Sequence, residues 1–215
     1  MMMAFWMTVG FICFATRASA EEPKPCLTPS RYMGSVTMTL ALGNLYRHDY
    51  DYDAIKQRLH TKMFHNDEFV CEDLFLFKQR VHYSFKNDHC SKLPHDSDFK
   101  PFGVPKNATF LSQVVLGTLS TPGHGLVVNN WKNSNTGLLS TFTDADCLPV
   151  SQVMEDAERG VFITNSFFNN LLVYRSDAFV IPETCKHANL EPEKHAELQE
   201  IEDGNNYFLS FFQNQ

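Results

Sequence analysis

The chain has 215 residues, with 18 Lys and Arg against 25 Asp and Glu and a formal net charge of −7. That length suits one domain able to bury a hydrophobic core of its own. The acidic balance, without any basic cluster, excludes nucleic acid and anionic membrane surfaces as principal partners.

Ala4 to Phe14 is almost wholly apolar, and Ala18-Ser19-Ala20 and then Glu21-Glu22-Pro23 follow it. About eleven apolar residues are too few to span a hydrocarbon core that needs about 20. The pattern predicts a signal peptide over residues 1–20, and a mature chain of 21–215 forming one domain in a secretory, disulfide-permissive compartment. An uncleaved apolar anchor is the alternative. No later stretch is long and apolar enough to cross a membrane.

The remaining signals are mostly those of strands. Ser35 to Leu40 alternates polar and apolar, as a half-buried strand does. Glu68 to Phe77 ends apolar on both parities, which predicts cover on both faces. Lys78-Gln79-Arg80 reads as a hairpin tip, because Val81 to Phe85 alternates again. Further strands are expected at Gln113–Thr118, Gly125–Trp131, Leu138–Thr143, Val161–Asn169 and Asp177–Ile181. Turn residues fill the gaps, for example Thr121-Pro122-Gly123 and Asn133-Ser134-Asn135. Some eight short antiparallel strands imply a sandwich or an open barrel. Glu193–Ile201 reads as a short helix, begun by Pro192 and stopped by Asp203-Gly204. The aromatic tail Tyr207 to Phe212 either packs back on the domain or forms a dimer contact.

Outside the leader stand Cys26, Cys71, Cys90, Cys147 and Cys185, widely spaced and without a C-x-x-C. The number is odd, so two structural bridges leave one over, for a free thiol or an intermolecular bridge. Asn107-Ala108-Thr109 is an N-glycosylation acceptor in a turn-like setting. No hydrolase elbow, zinc helix motif, P-loop or dinucleotide glycine pattern is present, which argues against an enzyme. Asp49, Asp51 and Asp53, and separately Asp144 and Asp146, are candidate oxygen ligands for weakly held calcium. None forms an EF-hand loop, and a solvated acidic surface is the simpler reading.

Cys147-Leu148-Pro149-Val150, then Phe167-Phe168, then Phe179-x-x-Pro182-x-x-Cys185 form an ordered set. With Cys26, Tyr52-Asp53, Cys90, Asn107 and Trp131 it resembles the ependymin family of secreted glycoproteins. The resemblance runs from Cys26 to Cys185. It implies an all-β fold of two antiparallel sheets curved around an apolar pocket, similar to bacterial lipoprotein carriers, to which the helix read above adds a short C-terminal element. It also implies lipid-like ligands, a homodimer, calcium-sensitive behaviour without a required cofactor, and extracellular or lysosomal residence. By the same resemblance Cys26 pairs with Cys147 and Cys90 with Cys185. Cys71 is left free, since the further Cys that family members carry beyond the last motif is missing. Alternating apolar residues would line the pocket: Val36, Met38, Leu40, Val81, Tyr83, Phe85, Leu138, Phe142, Val161 and Ile163. The reading is therefore a secreted lipid-binding or lipid-transferring glycoprotein. The alternative is a structural or adhesive glycoprotein acting through its acidic, glycosylated surface.

Overall fold

The computed structural model describes residues 21–39, 45–87, 89–156, 160–190 and 208–209. The expected leader, Leu40 and the expected helix at 193–201 lie outside them, and of Val161 the backbone alone is described. The strands are β1 Arg31–Thr39, β2 Leu45–Asp53, β3 Arg58–His65, β4 Glu68–Leu76, β5 Val81–Lys86 and β6 His89–Pro94. There follow β7 Ala108–Gly117, β8 Gly125–Asn133, β9 Leu139–Thr143, β10 Pro149–Asp156 and β11 Val161–Leu171.

All eleven join one antiparallel sheet in the order β6-β5-β4-β3-β2-β1-β11-β10-β9-β8-β7. The two expected sheets are thus the two halves of one continuous sheet, joined where β1 pairs with β11. The sheet is open, with β6 and β7 as its edges. It folds over on itself: one core cluster gathers Tyr52, Leu59 and Phe75 from β2–β4 with Trp131 and Phe142 from β8 and β9.

The two-residue period of strands decides which side chains enter that core. In β2 Tyr46, His48, Tyr50 and Tyr52 turn inward and are buried. Gly34 stands opposite Tyr50 in β1, and an added Cβ would come within 2.7 Å of the Tyr50 hydroxyl. That close approach lets Tyr50 donate a hydrogen bond of 2.7 Å to Asn170 Oδ1.

The doubly apolar end of β4 is covered on both faces, as its sequence implies. Phe75 and Phe77 join the inner core. Leu74 and Leu76 pack outward against Phe179 and Cys185. Arg80 turns the hairpin with φ of 53°. Asp177–Ile181 is not a strand: Asp177–Phe179 is a single 3-10 turn, packed on the outer face of the β4–β5 hairpin. Strands β2, β3, β6 and β10 lie outside the strand windows expected from the sequence.

Candidate functional site

Cys26–Cys147 and Cys90–Cys185 are both formed, and Cys71 is a buried free thiol. The second bridge ties the 174–185 segment to edge strand β6. Asn107 is exposed in the turn before β7.

The proposed pocket residues divide between the two faces of the sheet. Val36, Met38, Leu138, Phe142 and Ile163 are inner-face residues at 1 % exposure or less. Val36 and Phe142 lie in the main cluster, and Met38, Leu138 and Ile163 in a second cluster with Met63. Tyr83, Val81 and Phe85 belong instead to the outer face, beneath Phe179 and Ile181. Their alternation was real, but the 174–185 segment makes the outer side of β5 apolar too. Phe85 also borders a cleft of about 110 Å³ with Cys71.

The inner face carries a second population that the apolar pattern conceals. His48, Thr61, Trp131, Gln152 and Asn165 are each 2 % exposed or less. Among the described residues, neither ring nitrogen of His48, nor Thr61 Oγ1, nor Trp131 Nε1, nor any amide atom of Gln152 or Asn165 has a hydrogen-bond partner. Leaving one such group unpaired costs roughly 1–3 kcal/mol, so native interiors hold few of them. Strand register sets most of these groups side by side. Trp131 faces Ser140, Ser140 faces Gln152, and Gln152 faces Asn165 on four successive strands. A sequence signal for this existed: Asn165 shares the parity of Ile163 and Phe167, where an apolar residue is expected.

Burial is the main influence on His48, pulling its pKa from the usual 6.5 to about 4 against an opposing attraction from Asp73. The imidazole is therefore neutral at pH 7. Burial also acts first on Asp73 and would raise it. Hydrogen bonds from His82, Cys71 and Ser84 outweigh that and hold it below the usual carboxylate range. The His82 contact is 2.7 Å and the Cys71 Sγ contact 3.1 Å.

The three β2 aspartates proposed for calcium turn outward together, but each is engaged by neighbours. Arg175 forks onto Asp51 at 2.9 and 2.6 Å. Asp53 accepts from Arg31 at 3.2 Å and from Arg58 at 3.1 Å. Asp49 accepts from Ser35 at 2.7 Å. His60 bridges Asp51 and Glu72, and these contacts raise its pKa despite a burial effect of opposite sign. Asp144 accepts from Asn129 at 2.8 Å and Asp146 is exposed. Among the described residues no three His, Cys, Asp or Glu side chains are grouped so as to hold a metal. Nor, among them, is any helix long and apolar enough to cross a membrane.

These features define a class: an open antiparallel β protein, braced by two disulfides, whose folded-over sheet encloses an apolar face crossed by a polar row. The ependymin family model matches residues 65–185, more than half of the chain, and the chain belongs to that family. It is 27 % identical to Ependymin of Esox lucius, covering 98 % of this chain and 95 % of that one. To Ependymin of Clupea harengus it is 24 % identical, over 86 % of this chain and 94 % of that one. Among solved structures it is similar to an uncharacterized conserved protein from Thermus thermophilus. That likeness has a TM-score of 0.48 at 9 % identity and covers 75 % of this chain and 90 % of that one.

Proposed function

We propose that this chain is a secreted glycoprotein that holds lipid-like apolar ligands against the inner face of its sheet. The observation that carries the reading is the seating of Phe208 and Leu209. These two side chains, far along the chain from the last described strand, lie in the main inner cluster at 1 % and 7 % exposure. A face that accepts apolar groups from a separate stretch of chain, under a sheet with free edges, suits an acyl chain. Two disulfides and an exposed Asn107 acceptor fit an oxidising, glycosylating compartment. Weak calcium association, in the roughly 10⁻⁴–10⁻³ M range of extracellular modules, belongs to the same reading and rests on the acidic charge. A homodimer belongs to it as well, supported by the apolar β7–β8 hairpin.

The test is native mass spectrometry of the protein secreted from eukaryotic cells, followed by titration with a fluorescent acyl probe. A lipid-sized adduct and saturable probe binding are expected. Protein that carries no adduct and binds no probe would leave the adhesive, surface-acting alternative.

A further inference from the structure

The sequence has no run of basic residues, but the fold gathers three cations at one place. A cleft of about 310 Å³ opens where three parts of the chain meet. They are the β2–β3 turn, the Phe77–Gln79 turn between β4 and β5, and the 174–185 segment. Lys56, Arg58 and Lys78 line the cleft, with Leu76, Phe179 and Ile181 as its apolar side. Its other lining residues are two glutamines, so it holds no carboxylate in a chain of net charge −7. Arg58 is fixed in place. Its Nε and Nη2 donate to Asp53 Oδ2, each at 3.1 Å, and Nη2 also donates to the Tyr174 hydroxyl. Its guanidinium lies over the Phe179 ring, 4.1 Å from the centroid. Arg31 also donates to Asp53, so one carboxylate answers two guanidiniums. Lys56 and Lys78 are exposed, and Lys78 Nζ reaches the Ile55 carbonyl at 3.4 Å. Neither lysine has a carboxylate partner among the described residues.

We infer that this cleft binds a small amphiphilic anion: a sulfonate, sulfate, phosphate or carboxylate on one compact apolar group. The site is separate from the inner face and does not depend on lipid binding there. Cations gathered in one cleft raise the local concentration of anions. The two lysines meet the acid group, and Arg58 adds Nη1, which has no partner among the described residues. Leu76, Phe179 and Ile181 offer the apolar group a surface out of water. The volume equals that of about ten waters at about 30 Å³ each, enough for a ring with its acid group but not for a long acyl chain. The walls are built in advance. The Cys90–Cys185 bridge holds the 174–185 segment, and Phe179 packs on Leu74 and Leu76. A ligand therefore meets a formed cleft and orders little of the chain on entering.

The test is isothermal titration calorimetry of the secreted protein with 2-naphthalenesulfonate, inorganic sulfate and the neutral 2-naphthalenemethanol. The sulfonate should saturate a single site. It should bind roughly tenfold or more tightly than bare sulfate or the alcohol, since each of those lacks one of the two matching parts. Its affinity should fall as salt is raised. The Lys56→Gln/Lys78→Gln variant should bind the sulfonate roughly tenfold more weakly, the scale of two exposed ion pairs. Both lysines are exposed, so the variant should melt as the parent does and bind a fluorescent acyl probe as the parent does. Absence of saturable sulfonate binding overturns the inference. Sulfate or the alcohol binding as tightly as the sulfonate overturns it too. Unchanged sulfonate affinity in the variant places the sulfonate on another face and overturns the cleft, whatever the acyl probe does.

Discussion

The ring of Phe208 lies flat on the imidazole of His48, their centroids 4.4 Å apart and their planes 7° from parallel. The stack joins a residue near the C-terminus to the middle of β2, and Tyr50 tilts against the same phenyl ring at 6.3 Å. Phe208 is 1 % exposed. The Phe208→Ala variant should therefore lose about 3 kcal/mol of stability, the lower part of the range for emptying a core Phe site. Urea unfolding followed by circular dichroism measures it. A loss under about 0.5 kcal/mol, the scale of an ordinary surface substitution, would show that the ring contributes little to this core.

The same stack makes His48 a pH-sensitive element. Its folded pKa of about 4 lies below the usual 6.5, so the unfolded chain takes up its proton first. The stability it withholds is small above pH 6.5, grows as pH falls toward 4 and then levels off, at about 3 kcal/mol. His60 acts with the opposite sign. Its folded pKa is raised, so its contribution is complete below 6.5 and is lost as pH rises through the folded value. Stability should peak near neutrality. The His48→Asn variant should flatten the limb between pH 6.5 and 4 in thermal melts, and His60→Asn should flatten the alkaline limb. A limb of parental slope in His48→Asn would assign the acid sensitivity elsewhere.

Much of this fold is legible in the sequence, for reasons that individual strands make plain. The alternation through Val36 and Met38 and the double apolar end of β4 report burial directly. β2 alternates as strictly as β1, but its inward residues are Tyr and His and its outward ones Asp, so composition points to an acidic cluster before it points to a strand. The partners that settle those aspartates, Arg31, Arg58 and Arg175, come from distant positions that no local pattern connects. The inner polar row is hidden for a related reason. Gln152 looks like an outward residue until register and the folding of the sheet place it inside, and at Asn165 only the parity of Ile163 and Phe167 points inward. The face of Tyr83 was open to error because a segment nearly a hundred residues later covers the side that would otherwise meet solvent.

The Cys90–Cys185 bridge, with a separation of 95 residues, holds that covering segment in place. Closing so long a loop constrains the unfolded chain by about 4–5 kcal/mol in the chain-entropy model. The Cys90→Ser/Cys185→Ser variant should lose most of that stability and expose Tyr83 and Phe179 to limited proteolysis. Cys71, 3 % exposed beside Asp73, should resist maleimide in the native protein and react once it is denatured. Peptide mapping without reduction decides the pairing, and any bridge to Cys71 would overturn it.

Assembly is expected to use the β7–β8 hairpin. Beyond Ser112 four of its apolar residues are exposed, while Val128 is buried: Val114 is 39 % exposed, Leu116 42 %, Leu126 47 % and Val127 40 %. Among the described strands β7 is also an edge, the kind that pairs with another chain unless it is protected. A second copy meeting this edge across a two-fold axis would cover both the apolar side chains and the backbone groups at once. Phe208 and Leu209, by contrast, are already buried within their own domain, so these two residues are not the expected contact. Light scattering should give a dimer at micromolar concentration that survives reduction, since neither bridge crosses between chains. The Leu116→Lys/Val127→Lys variant should run as a monomer with an unchanged circular dichroism spectrum. A parent protein of monomeric mass would sink the assignment, and a dimeric variant would move the contact to another face.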